Sequence, residues 1–222
     1  MADLKQGLLG CLIEKEKIDL LSDKMESYIK EIILFNSAYN LTNTSDYDEL
    51  VVRHILDSLS AYPFIKKIAA DKKDFVIGDI GSGGGLPGIP LAAAFPEHEF
   101  ILVERMSKRC AFLENCTAIL GLKNVTVLNS EAEKVENQKM SLTVFRAFRP
   151  LDEQMTKTLL ALTKKDGYLF AYKAKLENIK EEMGKIKELV PSFEIQQLKV
   201  PFLSDAERNL VIIKNSECTF WS

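Results

Sequence analysis

A chain of 222 residues, 46% hydrophobic and 27% charged, is long enough for one large α/β domain with a small extension and too short for two full domains. The formal net charge of −3 excludes a strongly basic protein that coats polyanions, so a nucleic-acid partner would have to meet a local basic patch.

From Leu4 to about Ile68 the apolar residues recur at helical spacing, as in Met25, Ile29, Ile32, Ile33 and Phe35. Asn40 to Asp46 is a polar break, and a second helical stretch runs from Asp48 to Ala61, where Arg53 and Asp57 have the spacing of a surface ion pair. Residues 1–70 therefore read as a helical extension, with Asp71-Lys72-Lys73-Asp74 as linker to a domain over 71–222. Beyond the linker, short apolar runs alternate with amphipathic segments, the pattern of βα units on a parallel sheet. Strands are expected at Phe75–Ile80, Glu99–Glu104, Val125–Asn129, Leu142–Ala147 and Gly167–Tyr172. Crossover helices are expected at Leu86–Phe95, Ser107–Leu120, Asp152–Leu162 and Leu176–Val190. Two final strands, Phe193–Val200 and Asn209–Lys214, have no helix between them and should pair antiparallel.

Cys11, Cys110, Cys116 and Cys218 form no CxxC pair and have no histidine nearby, so they do not make a zinc site. With no leader-like segment and no long apolar run, the expectation is a cytoplasmic chain with reduced thiols, no metal and no membrane partner.

The chemistry concentrates in Asp79-Ile80-Gly81-Ser82-Gly83-Gly84-Gly85-Leu86-Pro87-Gly88, between the first strand and its helix. Gly83, Gly85 and Gly88 fit G-x-G-x-x-G, a spacing shared by nicotinamide, flavin and methyl-donor sites. Asp79, placed at the strand's carboxyl end, would repel a diphosphate, since two like charges ~4 Å apart cost about 4 kcal/mol at intermediate dielectric. It suits the sulfonium and ammonium of S-adenosylmethionine; its alternative is to cap a turn. Glu104, ending the second strand, can accept from both ribose hydroxyls but serves either cofactor class; its alternative is a pair with Arg105 or Lys108. Arg105, Lys108, Arg109, Arg149, Lys173, Lys175 and Arg208 lie near strand ends, on one rim if the sheet is doubly wound, and could meet phosphates.

The chain resembles the RsmG (GidB) family of bacterial methyltransferases. The resemblance rests on Asn40-Leu41-Thr42, Arg53-His54-Ile55-Leu56-Asp57-Ser58, Gly83-Gly84-Gly85-Leu86-Pro87-Gly88-Ile89-Pro90, Lys108-Arg109, Arg146-Ala147-Phe148 and Glu207-Arg208-Asn209. It implies a class I S-adenosylmethionine-dependent (Rossmann-like) fold: a seven-stranded sheet with an antiparallel final strand. The implied activity is methylation of guanine N7 in 16S ribosomal RNA, by a monomer acting on the RNA or the small subunit. By the family pattern Gly81 and Leu86 would line the cofactor pocket, Ala132 and Glu133 would meet the adenine, Glu104 would hold the ribose and Arg146 would reach the methionine end or the target. With the reading of the residues above, the cofactor-side candidates are Asp79, Gly81, Ser82, Gly83, Leu86, Glu104, Arg105, Ala132, Glu133 and Arg146. The RNA-side candidates are Arg53, His54, Arg109, Phe148, Lys173 and Arg208, with Arg146 also the candidate catalytic, positioning residue. The chain departs from the family pattern at Phe145, where serine is usual, and at Ala174, where glycine is.

Absent motifs agree with that target. Amine methylation calls for an Asn/Asp-Pro-Pro-aromatic run after the fourth strand, where this chain has Phe145-Arg146-Ala147-Phe148-Arg149-Pro150. Pyrimidine C5 methylation needs a nucleophilic cysteine near the same place, and Cys110 and Cys116 fall instead in a helix after the second strand. Guanine N7 has a free lone pair and needs orientation rather than a base; Phe145 or Phe148 could stack on it. A small-molecule methyltransferase, a non-catalytic ribosome-binding module and a nicotinamide enzyme remain the other readings.

Overall fold

The computed structural model describes residues 2–146 and 151–221. Ala147, Phe148, Arg149 and Pro150, and with them the expectations for Phe148 and Arg149, lie outside the described residues.

The helical half comes first: α1 (Leu4–Gly10), α2 (Ile18–Tyr39), α3 (Tyr47–Leu50), α4 (Asp57–Leu59) and α5 (Tyr62–Ala69). Asp3 and Asp46 cap α1 and α3, their carboxylates accepting from Gln6 and Glu49 amides that have no partner within the helix. Met25, Ile29 and Ile32 of α2 are buried at helical spacing, whereas Ile33 is 40% exposed and belongs to the outer face. The stretch expected to be one regular helix from Asp48 to Ala61 is interrupted by a π-helical turn, Val51–Leu56. Such turns widen the hydrogen-bonded ring by one residue, are rare, and frequently occur at functional sites.

The described residues then form a seven-stranded sheet in the order β3-β2-β1-β4-β5-β7-β6. Its strands are β1 (Val76–Ile80), β2 (Glu99–Glu104), β3 (Val125–Asn129), β4 (Met140–Arg146), β5 (Thr163–Lys173), β6 (Glu194–Gln197) and β7 (Asn209–Lys214). The helices between them are α6 (Gly88–Ala94), α7 (Ser107–Ile119), α8 (Glu153–Leu162) and α9 (Leu176–Lys185). β1 to β5 pair in parallel, and β7 inserts antiparallel between β5 and β6. The expected antiparallel final pair is therefore present, with β7 also the partner of β5.

Several boundaries differ from expectation. β5 begins at Thr163 rather than Gly167, because the Thr143 and Thr163 hydroxyls pair at 2.6 Å and hold that corner. β6 is only Glu194–Gln197; the Leu198 amide still donates to the Arg208 carbonyl at 2.8 Å, while the Leu198 and Val200 side chains enter the core. α9 stops at Lys185 and passes into turns that bury Ile186 and Val190. α6 starts at Gly88, after the loop has finished turning.

Strand alternation divides the apolar residues into two cores. Phe100, Leu102, Leu142, Val144 and Phe170 face α1 to α7, joining Leu8, Met25, Ile29 and Leu113 in one continuous cluster. Ile101, Val103, Phe145, Leu169 and Ala171 face α8 and α9. The helical N-terminal segment thus shares its core with the sheet, each large aliphatic side chain contributing about 1.5–3 kcal/mol on burial. Phe145, offered above as a stacking residue, is 1% exposed in the second core and cannot reach a base. Cys11, Cys110, Cys116 and Cys218 are free and buried. Among the described residues no helix is long and apolar enough to cross a membrane, and no His/Cys/Asp/Glu group has the makings of a metal site.

Candidate functional site

Chain direction reverses between β1 and β4: from β1 the chain runs outward through β2 and β3, then returns to β1's other side. Loops at the carboxyl ends diverge at such a switch point and leave a crevice. Two adjoining cavities open there, of about 450 and 540 Å³, sharing Gly81 and Arg109.

The glycine loop makes their common wall. Gly83 has φ +58°, and a Cβ there would make only ordinary contacts, 3.8 Å from the Gly81 carbonyl oxygen and 3.9 Å from Arg109 Nη1, so glycine is needed for the backbone turn rather than for packing. Gly85, at φ +89°, is glycine for packing: a Cβ there would lie 2.6 Å from Ile89 and 2.9 Å from both Leu113 and the Tyr28 hydroxyl. Tyr28, buried on α2, donates to the Gly84 carbonyl and ties the loop to the helical half.

Asp79 lies under this loop and lines neither cavity, contrary to its expected place in the crevice. Its Oδ2 accepts from the Ser82 hydroxyl at 2.8 Å and the Gly88 amide at 2.9 Å, stitching both ends of the loop to β1. The position allows no more room: a Cβ on Gly88 would come within 2.6 Å of Oδ2. Burial raises the carboxyl to about 6, opposed by the bonds from Ser82 and Gly88 and by the charge of Arg146. Oδ1 is buried and has no hydrogen-bond partner.

The smaller cavity is lined by Gly81, Glu104, Arg105, Ser130, Ala132 and Glu133, among others. Glu104 does not pair with Arg105 or Lys108. Its Oε2 accepts from the Gly83 amide at 3.0 Å and its Oε1 from the Met106 amide at 2.8 Å, each oxygen keeping a second lone pair. Asn129 fixes the turn beyond β2 by donating to the carbonyls of Glu104 and Arg105 at 3.1 and 3.0 Å.

The larger cavity brings together Ser82, Gly83, Leu86, Arg146, Arg53, His54, Lys173 and Arg208, along with Leu41, Asp57 and Tyr172. Four of its cations are held by acids. Arg146 Nη1 donates to Asp57 Oδ2 at 2.9 Å, and Arg208 Nε lies 3.3 Å from Asp57 Oδ1. Lys173 pairs with Glu182, and Arg53 with Asp205, both at 2.5 Å. The expected Arg53–Asp57 surface pair is therefore replaced: Asp57 turns inward to two half-buried guanidiniums, and Arg53 turns out to the β6–β7 loop. Burial, then the charges of Arg146, Arg208 and Arg53, depress His54 to about 4, so the ring is neutral at pH 7. Its Nδ1 lies 3.3 Å from Arg146 Nη2, which can only donate, so the ring nitrogen accepts. Arg109, between the cavities, donates to the Asn40 carbonyl at 3.0 Å, while its buried Nε has no partner.

Asp57 is the residue that local reading undervalued. Its partners are 89 residues away on β4 and at the start of β7, so spacing gave no sign of them; only its place in Arg-His-Ile-Leu-Asp-Ser marked it.

The model of the family "rRNA small subunit methyltransferase G" matches residues 21–211. The chain is 38% identical to the ribosomal RNA small subunit methyltransferase G of Treponema denticola, over 95% of this chain and 93% of that protein. It is 37% identical to the protein of the same name from Pasteurella multocida, over 96% and 100%. Among solved structures, a putative S-adenosyl-L-methionine-dependent methyltransferase from Methanococcus maripaludis superimposes with TM-score 0.60 at 14% identity, covering 84% of this chain and 91% of that one. A tRNA (m1A58) methyltransferase from Aquifex aeolicus does so with TM-score 0.58 at 14% identity, covering 84% and 75%. These two likenesses establish a class I methyltransferase fold.

Proposed function

The chain belongs to the rRNA small subunit methyltransferase G family, and from that premise we propose how its two cavities divide the transfer of a methyl group from S-adenosylmethionine to guanine N7 of 16S ribosomal RNA. The observation that carries the proposal is their junction: a carboxylate-bearing cavity and a cation-lined cavity meet at Gly81 and Arg109 on the switch point of the sheet.

The smaller cavity fits the nucleoside end of the cofactor. The free lone pairs of Glu104 suit two ribose hydroxyls, and Ala132 and Glu133 suit the adenine. Asp79 contributes by holding the loop shut from beneath. Gly81, Ser82, Gly83 and Leu86 then line the passage into the larger cavity, with Arg146 at its far side. S-adenosylmethionine, when bound, supplies a methyl group on a cationic sulfur.

Guanine N7 attacks with a lone pair available at neutral pH, so the protein needs no general base and contributes mainly orientation. The larger cavity suits that task. Its neutral His54 is a poor proton acceptor at pH 7, while Arg146 has donors for guanine O6. The cysteines support the same chemistry: all are buried, and burial raises every one of their thiols. None lines either cavity, so a thiolate route to a pyrimidine has no residue here. Arg53, Lys173, Arg208 and Arg109 form the rim for RNA phosphates, and a ribosomal substrate places the protein in the cytoplasm.

Purified protein incubated with methyl-labelled cofactor and either 16S RNA or intact small subunits should label 7-methylguanosine, read by nucleoside analysis. Unlabelled guanosine with both substrates would refute the proposal. Transfer that survives ribonuclease and ignores salt would point to a small-molecule substrate.

A further inference from the structure

One buried carboxylate in the larger cavity serves two guanidiniums. Asp57 is 3% exposed, and its side chain meets Arg146 through Oδ2 and Arg208 through Oδ1. The two arginines come from different strands, at the end of β4 and just before β7, and their side chains are 14% and 21% exposed. Arg146 is held on three sides by one short segment: the Asp57 carboxylate, the Arg53 carbonyl at 3.4 Å and His54 Nδ1. That segment is the π-helical turn and the residue following it.

The charge count is uneven. In direct ion pairs two cations share one anion, and Arg53, a third cation of this cavity, is taken by Asp205; Asp79 acts on Arg146 only through space, from beneath the glycine loop. A purely architectural pair would be expected to balance, because a buried charge without a counter-ion is costly. Arg208 Nε reaches Asp57 Oδ1 only in a poorly aligned ion pair, so Oδ1 has no hydrogen bond. The surplus positive charge borders the cavity in which the methyl group would meet its acceptor.

We infer that Asp57 is a positioning residue: it fixes the plane of Arg146 and the reach of Arg208 together, so that their surplus positive charge faces the incoming guanine and its phosphate. The inference rests on the methyl-transfer reading given above. Asp57 touches no reacting atom. It acts through Arg146, and through the π-turn it brings the N-terminal helices into the geometry of the reaction.

The test is single-turnover methylation of 16S RNA by Asp57→Asn, whose amide oxygen can satisfy one guanidinium while its NH2 confronts the other. The rate constant at saturating RNA and cofactor should fall about a hundredfold, the scale of a misplaced reactant. Cofactor affinity, read by calorimetry, should stay within about threefold, because Asp57 does not line the nucleoside cavity. In a cycle with Arg146→Gln, the double variant should be no slower than Arg146→Gln alone, since residues acting as a unit do not add. Multiplying losses would overturn the inference, as would a wild-type rate in Asp57→Asn or equal loss of rate and cofactor binding. Should Asp57→Asn not fold, Asp57→Asn/Arg208→Gln removes one cation with the acid and lightens the buried imbalance. Full recovery of rate there would mean that charge balance alone mattered. If the wild-type enzyme makes no 7-methylguanosine, it is the functional reading that fails; this inference fails only where wild type methylates and these variants behave otherwise.

Discussion

The two cavities are built by opposite strategies. The smaller is local: its wall is a run of strand-to-helix turns, and its central carboxylate, Glu104, bonds to backbone amides two and 21 residues away. The larger is assembled over long range, with Arg146–Asp57 spanning 89 residues, Tyr172–Ser58 spanning 114 and Arg53–Asp205 spanning 152. A donor pocket common to many enzymes can be carried by one contiguous motif. The larger cavity, proposed above to take the substrate, is added here by packing an N-terminal helical segment against the strand ends.

The severest way to break this contrast is at the loop both cavities share. Gly85→Ala forces a side chain onto a φ of +89° and against Ile89, Leu113 and Tyr28. Strain and overpacking together should cost about 4 kcal/mol, seen as a lower denaturant midpoint. Both ligands should then be lost together. A variant of wild-type stability would mean that the loop is not the common wall.

Asp79 sharpens the same point through pH. Its carboxyl sits near 6 when folded against 3.8 unfolded, so the folded state holds the proton more tightly. Its contribution is most favourable below 3.8 and is lost as pH rises through 6, about 3 kcal/mol in all. His54 runs the other way: depressed to about 4, it favours the folded state above its ordinary 6.5 and loses that contribution as pH falls. The stability difference between wild type and Asp79→Asn cancels the His54 part. It should move against wild type between pH 4 and 6; a flat difference would show that Asp79 is not buried as described.

Much of the first region was legible in the sequence because its signals are short-range. Alternation and glycine spacing marked the strands, the loop and Glu104, and the order of elements predicted the antiparallel end of the sheet. Asp79 has two readings in the sequence, cofactor ligand or turn cap, and the folded loop shows it bonded to Ser82 and Gly88 as the turn cap. The second region was harder to read. Arg53 and Asp57 have ideal helical spacing, and nothing nearby says that Asp205, Arg146 and Arg208 will claim them. The π-turn leaves no mark in the hydrophobic period, and Phe145 looked available for stacking until β4 turned it into the core.

Glu104→Gln should separate the regions functionally. Replacing one carboxylate oxygen with an NH2 group costs about 2 kcal/mol of charge-assisted bonding, so cofactor affinity should drop by about thirtyfold while RNA affinity stays within twofold. Equal loss of both would contradict the division. The smallest effect belongs to Arg53→Met. Its pair with Asp205 is exposed, with side chains 37% and 63% accessible, and stability should change by less than about 0.5 kcal/mol. RNA binding should nevertheless weaken, with the salt slope reduced by about 1.

The most direct measurement of the central claim is nucleoside analysis of small-subunit ribosomal RNA from cells with and without this protein, complemented with wild type or Asp57→Asn. 7-Methylguanosine should disappear with the protein, return with wild type and return poorly with Asp57→Asn. An undiminished 7-methylguanosine level in cells lacking the protein would contradict that claim.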